Sequence, residues 1–525
     1  MTDPQVVLTG SELTAGQVAS VARDGATAVF DPAAIERMAQ SRAIIEQLVA
    51  DGAVVYGVTT GVGALADRRI PASAAARLQE NLLLSHAAGV GEPLPREVVR
   101  AMLVLRANTF GLGHSGVRPA VAERLLDFLR LRIHPVVPAQ GSVGASGDLA
   151  PLAHLALPLI GRGDVELNGQ TVPALIALEE TGLEPIVLGA KEGLALLNGT
   201  QLMTALGALL AVDAERLLRS ASVTAAMSVE ALLGTDVAFA EAYQATRPHP
   251  GQGQVAAELR WLLRGSVLQH YHHGSSHKVQ DPYSLRCMPQ VHGAVRDALD
   301  HHGRVLAIEM NAATDNPLVF AGGGGVDEGA IATGGGRVIS GGNFHGEPMA
   351  LALDFAKLAI AELGSISERR TALLLDNRFS GGLPAFLGTD SGLESGLMVL
   401  QYTAAALVSE DKVLAHPASA DSIPTSANQE DHVSMGTIAG RQARAVLDNV
   451  THVLAIELVC AARALDLRTS MTGGNRAPGR GVAIAHEMVR SVVPAWTADR
   501  ESGPDIAAAV RLVRSATFAD LAVPA

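Results

Sequence analysis

Only two cysteines, Cys287 and Cys460, occur in 525 residues. They are too few for a disulfide framework and lack the spacing of a metal-binding set, so a reducing compartment is expected. Aromatic residues make up just 3% of a chain that is 48% hydrophobic. The core therefore has to be built from Ala, Leu and Val, the mix of closely packed helices. Positive charge is in deficit as well, with 40 Lys and Arg against 53 Asp and Glu and a net charge of −13. That balance argues against nucleic acid or an anionic membrane as a partner. Met1-Thr2-Asp3-Pro4 has neither the basic nor the apolar region of a secretory signal, which points to the cytoplasm. The uncharged run 193–212 is long enough to span a bilayer, but Asn198-Gly199-Thr200-Gln201 sits in its middle. Unpaired polar groups are costly there, so a buried helix is expected.

The stretch that is present and unusual is Gly141-Ser142-Val143-Gly144-Ala145-Ser146-Gly147-Asp148-Leu149-Ala150. Ser146 stands between two small residues, so the backbone can bend until the Gly147 nitrogen reaches the Ala145 carbonyl carbon. Ring closure and loss of water from Ser146 would leave a methylidene on an imidazolone, an electrophile that no ordinary side chain supplies. The plainer reading is a glycine-rich turn before a helix, with Asp148 as the cap of the apolar run that follows. Upstream, Asp51-Gly52-Ala53-Val54-Val55-Tyr56-Gly57 reads as a short strand entering a loop at 57–63. Gly61, Gly63 and Ala66 match a dinucleotide fingerprint, yet helix after helix follows from Ser73 to Leu131 instead of βαβ units.

The second half reads as long helices, with Leu447, Val450, Leu454 and Leu458 on one stripe and similar spacing at 349–363 and 396–407. The glycine runs within 321–337 predict a flexible excursion with no element of its own. His270, His272, His273 and His277 are not expected to hold a metal, because Gly274-Ser275-Ser276 breaks any helical spacing and no carboxylate or Cys completes a set. Arg286 is suited either to a bidentate carboxylate clamp or to a surface ion pair. Phe344, flanked by Gly341, Gly342 and Gly346, either faces a ligand or joins the core. The polar run 425–432 is, by itself, a solvated loop.

Taken in chain order, these motifs resemble the histidine and aromatic amino acid ammonia-lyase family. The resemblance runs from about Val54 to Leu467 and rests on Tyr56-Gly57, Ser85-His86-Ala87-Ala88-Gly89-Val90-Gly91, residues 141–152, Leu196-Leu197-Asn198-Gly199-Thr200-Gln201, 280–287, 341–348 and 426–435. It implies a mainly α fold, a long-helix bundle core with a smaller mixed N-terminal part carrying the prosthetic-group loop. Residues 1–200 would hold the base loop and the methylidene-imidazolone segment, and 201–525 the long helices, as one integrated catalytic unit. It also implies a homotetramer with active sites shared between subunits, and a methylidene-imidazolone formed from Ala145, Ser146 and Gly147 with no external cofactor and no metal.

By the same resemblance Tyr56 is the general base, a role in which a phenol must lose its proton and needs nearby positive charge or donors. Asn198 would stabilise the imidazolone oxygen, Tyr283 would join the catalytic set, and Arg286 would hold the substrate carboxylate. His86, Gln280, Phe344, Gln429 and Glu430 would line the substrate pocket. Ser85-His86 together with Gln429-Glu430 is the histidine-type pattern, because His86 and Glu430 can hydrogen-bond both nitrogens of an imidazole. The implied reaction is elimination of ammonia from L-histidine to trans-urocanate. Thr59, Val62, Met288 and His292 depart from the usual histidine-type residues. A tyrosine or phenylalanine lyase, a 2,3-aminomutase and a non-catalytic helical scaffold therefore stay open as alternatives.

Overall fold

Alanine, leucine and valine do supply most of the buried side chains, and the architecture they build is mainly α. The computed structural model describes residues 5–268, 279–322, 331–333, 335–390, 392–474 and 476–523. The four tandem histidines between 270 and 277 lie outside the described residues.

The chain forms two compact units, each assembled from separated segments. The first comprises Met1–Val212, Gly303–Asp354 and Pro417–Arg441; the second comprises Asp213–His302, Phe355–His416 and Gln442–Ala525. Most boundaries fall inside long helices, Gln201–Ala231, Met288–Glu309, Glu347–Leu375 and Gly436–Met471.

The first unit is the mixed one. A parallel pair, Gln5–Leu8 with Thr27–Phe30, packs beside the helices Arg96–Gly111 and Pro119–Leu131, which the helix Pro32–Ala50 also contacts. The helix Arg96–Gly111 is buried almost all round, as an apolar helix at the centre of a domain must be. The strand expected at Val54-Val55 does not form. The Thr59 hydroxyl accepts the Val55 N–H at 2.8 Å and donates to the Ala53 carbonyl, so a side chain takes the bonds that a strand partner would have taken. The glycine-rich excursion also differs from expectation. Its described flanks form a three-stranded antiparallel sheet in the order Leu318–Ala321, Gly336–Ile339, Ile331–Thr333.

The run 193–212 is not one helix. Glu192–Leu197 ends at Asn198, and Gln201–Ala231 starts three residues later. Both pieces are buried.

In the second unit, Glu457 in the middle of Gly436–Met471 accepts Arg370 Nε at 2.6 Å and Nη2 at 2.8 Å, and also the hydroxyls of Ser228 and Ser367. Every member of this network is buried, and every carboxylate lone-pair direction is used, which makes a buried charge tolerable. The four residues of the expected 447–458 stripe are all buried, but so are Val453, Ala455 and Ile456 between them. Gly436–Met471 is the only described helix long and apolar enough to cross a membrane, and 78% of its most apolar window is buried within the protein.

Candidate active site

The site begins with a tightly held loop. Ser142 Oγ donates to Asp148 Oδ1 at 2.9 Å and accepts the Gly144 N–H at 3.2 Å. From the other side the Met435 N–H donates to Val143 O and Ser434 Oγ donates to Gly144 O. Ala145 is buried in a small cluster with Val433 and Met435. Gly147 has φ +72°, and a β-carbon there would lie on the Gly199 carbonyl. No other residue type fits that conformation and that approach.

Asp148 stands at the N-cap position of Leu149–Ala156, but its side chain makes no cap hydrogen bond to that helix. Its Oδ2 instead accepts the N–H groups of Leu202 and Met203, at 2.9 and 3.0 Å, in the first turn of Gln201–Ala231. Its Oδ1 also takes the Thr437 hydroxyl. Burial raises the Asp148 carboxyl above its usual range, and these donors pull it partly back.

The turn between the two halves of the 193–212 run lies against the loop. Gly147 and Gly199 form a parallel bridge; the Asp148 N–H donates to Gly199 O at 2.7 Å and the Gly199 N–H to Ser146 O at 3.3 Å. Asn198 Nδ2 adds a second donor to Ser146 O at 3.2 Å. The hydroxyl of Ser146 donates to Glu430 Oε1 at 3.2 Å, while Thr425 Oγ1 donates to Oε2 of the same carboxylate at 2.7 Å. The segment 425–430 stays exposed at Ser426, Ala427, Asn428 and Gln429, as a solvated loop would, but it is not shapeless. It forms a short turn at Ser426–Asn428, closed by the Thr425–Glu430 bridge, that aims one carboxylate at Ser146.

Tyr56 is half-buried, and its hydroxyl oxygen accepts the Gly63 N–H at 3.0 Å. Gly63 touches the second loop, for a β-carbon on it would stand 2.9 Å from Ser426 Oγ. The base loop and the Glu430 turn are therefore neighbours. His86 Nδ1 lies 2.8 Å from Leu82 O. A carbonyl only accepts, so Nδ1 carries a proton and Nε2 is the nitrogen left for another partner. Phe344 is half-buried, two residues before Gly346, whose N–H reaches Gly144 O.

A sequence model of the family described as aromatic amino acid lyase matches residues 13–491. The chain belongs to that family. This aromatic amino acid lyase is 53% identical to a histidine ammonia-lyase of Gloeobacter violaceus over 508 residues, 97% of this chain and 95% of that protein. The crystal structure of histidine ammonia-lyase from Trypanosoma cruzi superposes with a TM-score of 0.89 at 43% identity, covering 99% of this chain and 95% of that one. Tyrosine aminomutase from Streptomyces globisporus superposes with a TM-score of 0.91 at 38% identity, with 98% of each chain covered. Family membership places this chain among enzymes of the carbon–nitrogen lyase class.

Of the residues expected in the lyase site, Tyr56, His86, Ala145, Ser146, Gly147, Asn198, Phe344, Gln429 and Glu430 belong to the first unit. Gln280, Tyr283 and Arg286 belong to the second. Tyr283 is exposed, and the Arg286 guanidinium lies over its ring at 4.7 Å. Met288 and His292, two departures from the family pattern, are fully buried. His292 Nε2 faces Arg370 at 3.4 Å, and burial with that neighbour holds the ring well below its ordinary pKa. They are core residues of the second unit.

Arg106 was not singled out from the sequence. It is completely buried, and its Nη2 donates to the carbonyls of Ala195 and of Asn198, the latter at 2.6 Å. The only sequence signal was one cation inside the apolar run 101–110.

Proposed function

We propose that this lyase eliminates ammonia from L-histidine to give trans-urocanate, using a methylidene-imidazolone built from Ala145, Ser146 and Gly147 and no external cofactor. The observation that carries the reading is the hold on Ser146, with Asn198 on its carbonyl and Glu430 on its hydroxyl. Two features support the fit of the group. A ring joining Gly147 N to the Ala145 carbonyl carbon would include the Ser146 carbonyl carbon and leave its oxygen projecting from the ring, and that oxygen already receives two N–H donors. The approach of Gly147 to Gly199 leaves no room for a side chain. When formed, the group supplies an electrophile that makes the substrate amine a better leaving group.

The chain's own residues do the rest. Tyr56 removes the β-proton, and the Gly63 N–H points at the oxygen that must carry negative charge. His86 and the Glu430 carboxylate hydrogen-bond the two nitrogens of the imidazole, while a phenyl ring in the same place would leave both unpaired. Arg286 clamps the carboxylate, with Gln280, Tyr283, Phe344 and Gln429 lining the pocket. The working form is a cytoplasmic homotetramer with sites shared between subunits, and neither nucleic acid nor a membrane is a partner. The shared fold of the Streptomyces aminomutase supports a second reading, a tyrosine 2,3-aminomutase on the same scaffold.

The test combines product spectra from L-histidine, L-tyrosine and L-phenylalanine with an intact mass. Urocanate from histidine, together with a mass about 36 Da below the sequence mass for two lost waters, is the expected pair. A β-amino acid from tyrosine would select the second reading, and an unshifted mass would remove both. S146A should restore the unshifted mass and abolish turnover.

A further inference from the structure

A cleft of about 510 Å³ opens in the first unit, and none of its lining residues belongs to the segments of the active site. Arg23, Arg96, Arg100, Arg130, Arg132 and His134 line it, and Asp24 is its one acidic wall residue. In a protein of net charge −13, five guanidinium groups in one cleft are not a sample of the general surface.

Local structure accounts for part of the arrangement. Arg23 pairs with Glu97, Arg96 with Glu166 and Arg130 with Asp127. Arg130 and Arg132 end the helix Pro119–Leu131, where cations suit the helix dipole. Arg96 and Arg100 do not fit that explanation. They occupy the first turns of Arg96–Gly111, the end where the dipole disfavours positive charge. Arg100 is 7% exposed, and its guanidinium bonds the carbonyls of Val21, Ala22 and Leu129 and faces His134 Nε2 at 3.3 Å. Among the described residues neither Arg100 nor Arg132 has a carboxylate partner.

His134 is 94% buried by its 6% relative exposure. Its Nε2 takes the Arg100 N–H, so the ring proton sits on Nδ1, and Nδ1 has no partner among the described residues. Burial and the neighbouring Arg100 push His134 down to about 4, and Arg132 and Arg96 lower Arg100 after burial does. Arg132 and Arg96 thus repel the Arg100 guanidinium from the walls of the same cleft.

We propose that this cleft binds a small multivalent oxyanion, held by Arg100, Arg132 and His134 with Arg23, Arg96 and Arg130 at the rim. Guanidinium forks match the paired oxygens of phosphate and of carboxylate alike, so the shared chemistry is a compact anion of at least two charges. A cavity of this size takes a metabolite larger than a single phosphate.

Calorimetric titration of the full-length protein with pyrophosphate, and separately with citrate, tests the site. Saturable binding of one or both is expected, with an affinity that falls as salt rises. Tighter pyrophosphate would identify a phosphate ester as the natural ligand, and tighter citrate a polycarboxylate. R132N should weaken binding by roughly tenfold, since Asn tolerates the left-handed backbone at that exposed position. R96Q should weaken it independently, and R378Q, an exposed site in the other unit, should leave it unchanged. Matching thermal melts guard against a folding defect. Absence of saturable binding by either probe up to about 10 mM, or binding that neither R132N nor R96Q alters, would overturn the proposal.

Discussion

Arg106 and Glu430 show how single side chains set the site. The Arg106 guanidinium reaches the last turn of Glu192–Leu197, where carbonyls are left over at a helix C-terminus, and fixes the Asn198 carbonyl. Burial brings its pKa down to about 10 against the pull of Asp315 and Asp148. R106M should cost about 1–3 kcal/mol for each carbonyl left unpaired, read by denaturant unfolding. Because the Asn198 side chain loses its anchor, kcat should fall more than KM rises, with R106K recovering part of the loss. For Glu430, E430Q keeps an acceptor of the same shape but loses the charge. On the proposed reading the mass deficit should persist while kcat/KM for histidine drops by about tenfold or more relative to phenylalanine, because only the imidazole needs the charged acceptor. Steady-state kinetics on both substrates checks it.

Asp148 matters most where helices start. One carboxylate serves the first turns of Gln201–Ala231 and Gly436–Met471 while standing just before Leu149–Ala156. D148N should be tolerated better than D148A, because the hydroxyls of Ser142 and Thr437 can rotate to accept from an amide whereas backbone N–H groups cannot. D148A should be less stable than D148N by about 1–3 kcal/mol in urea unfolding.

Asp148 also marks the limit of sequence reading. Its position before an apolar run suggested a cap for the adjacent helix, but the N–H groups it serves are 54 and 55 residues away, and nothing local encodes that choice. The long helices of the second half were legible because apolar residues recur along them. The Val54-Val55 strand misread came from apolar content alone, when the Thr59 hydroxyl decides the backbone. The sheet flanking the glycine runs was hidden because its pairing is between strands, a relation that composition does not carry. Tyr56, Ser146, Asn198 and Glu430 could be named in advance, but the hydrogen bonds that join them could not.

Across the whole molecule, charge is handled by burial as much as by pairing. Glu230, near the end of Gln201–Ala231 and within the second unit, accepts the Gly479 N–H with both oxygens, at 2.8 and 3.1 Å. Burial lifts it to about 7. Its folded pKa lies above the ordinary carboxyl value, so between about 4.5 and 7 the folded chain holds a proton that the unfolded chain has released, and stability falls as pH rises through that window. E230Q, a mimic of the protonated form, should remove this fall and gain up to about 3 kcal/mol over the parent at pH 8 relative to pH 5, measured by denaturant unfolding at the two values.

The loop that carries Ser146 is gripped by residues from near position 198 and from 430 to 437, so its bent geometry depends on chain that the ribosome makes almost 300 residues later. On the proposed chemistry, a nascent or prematurely terminated polypeptide is chemically inert. The electrophile arises only in molecules whose synthesis has passed Thr437, and chains stopped short of Ser434 should weigh what their sequence says.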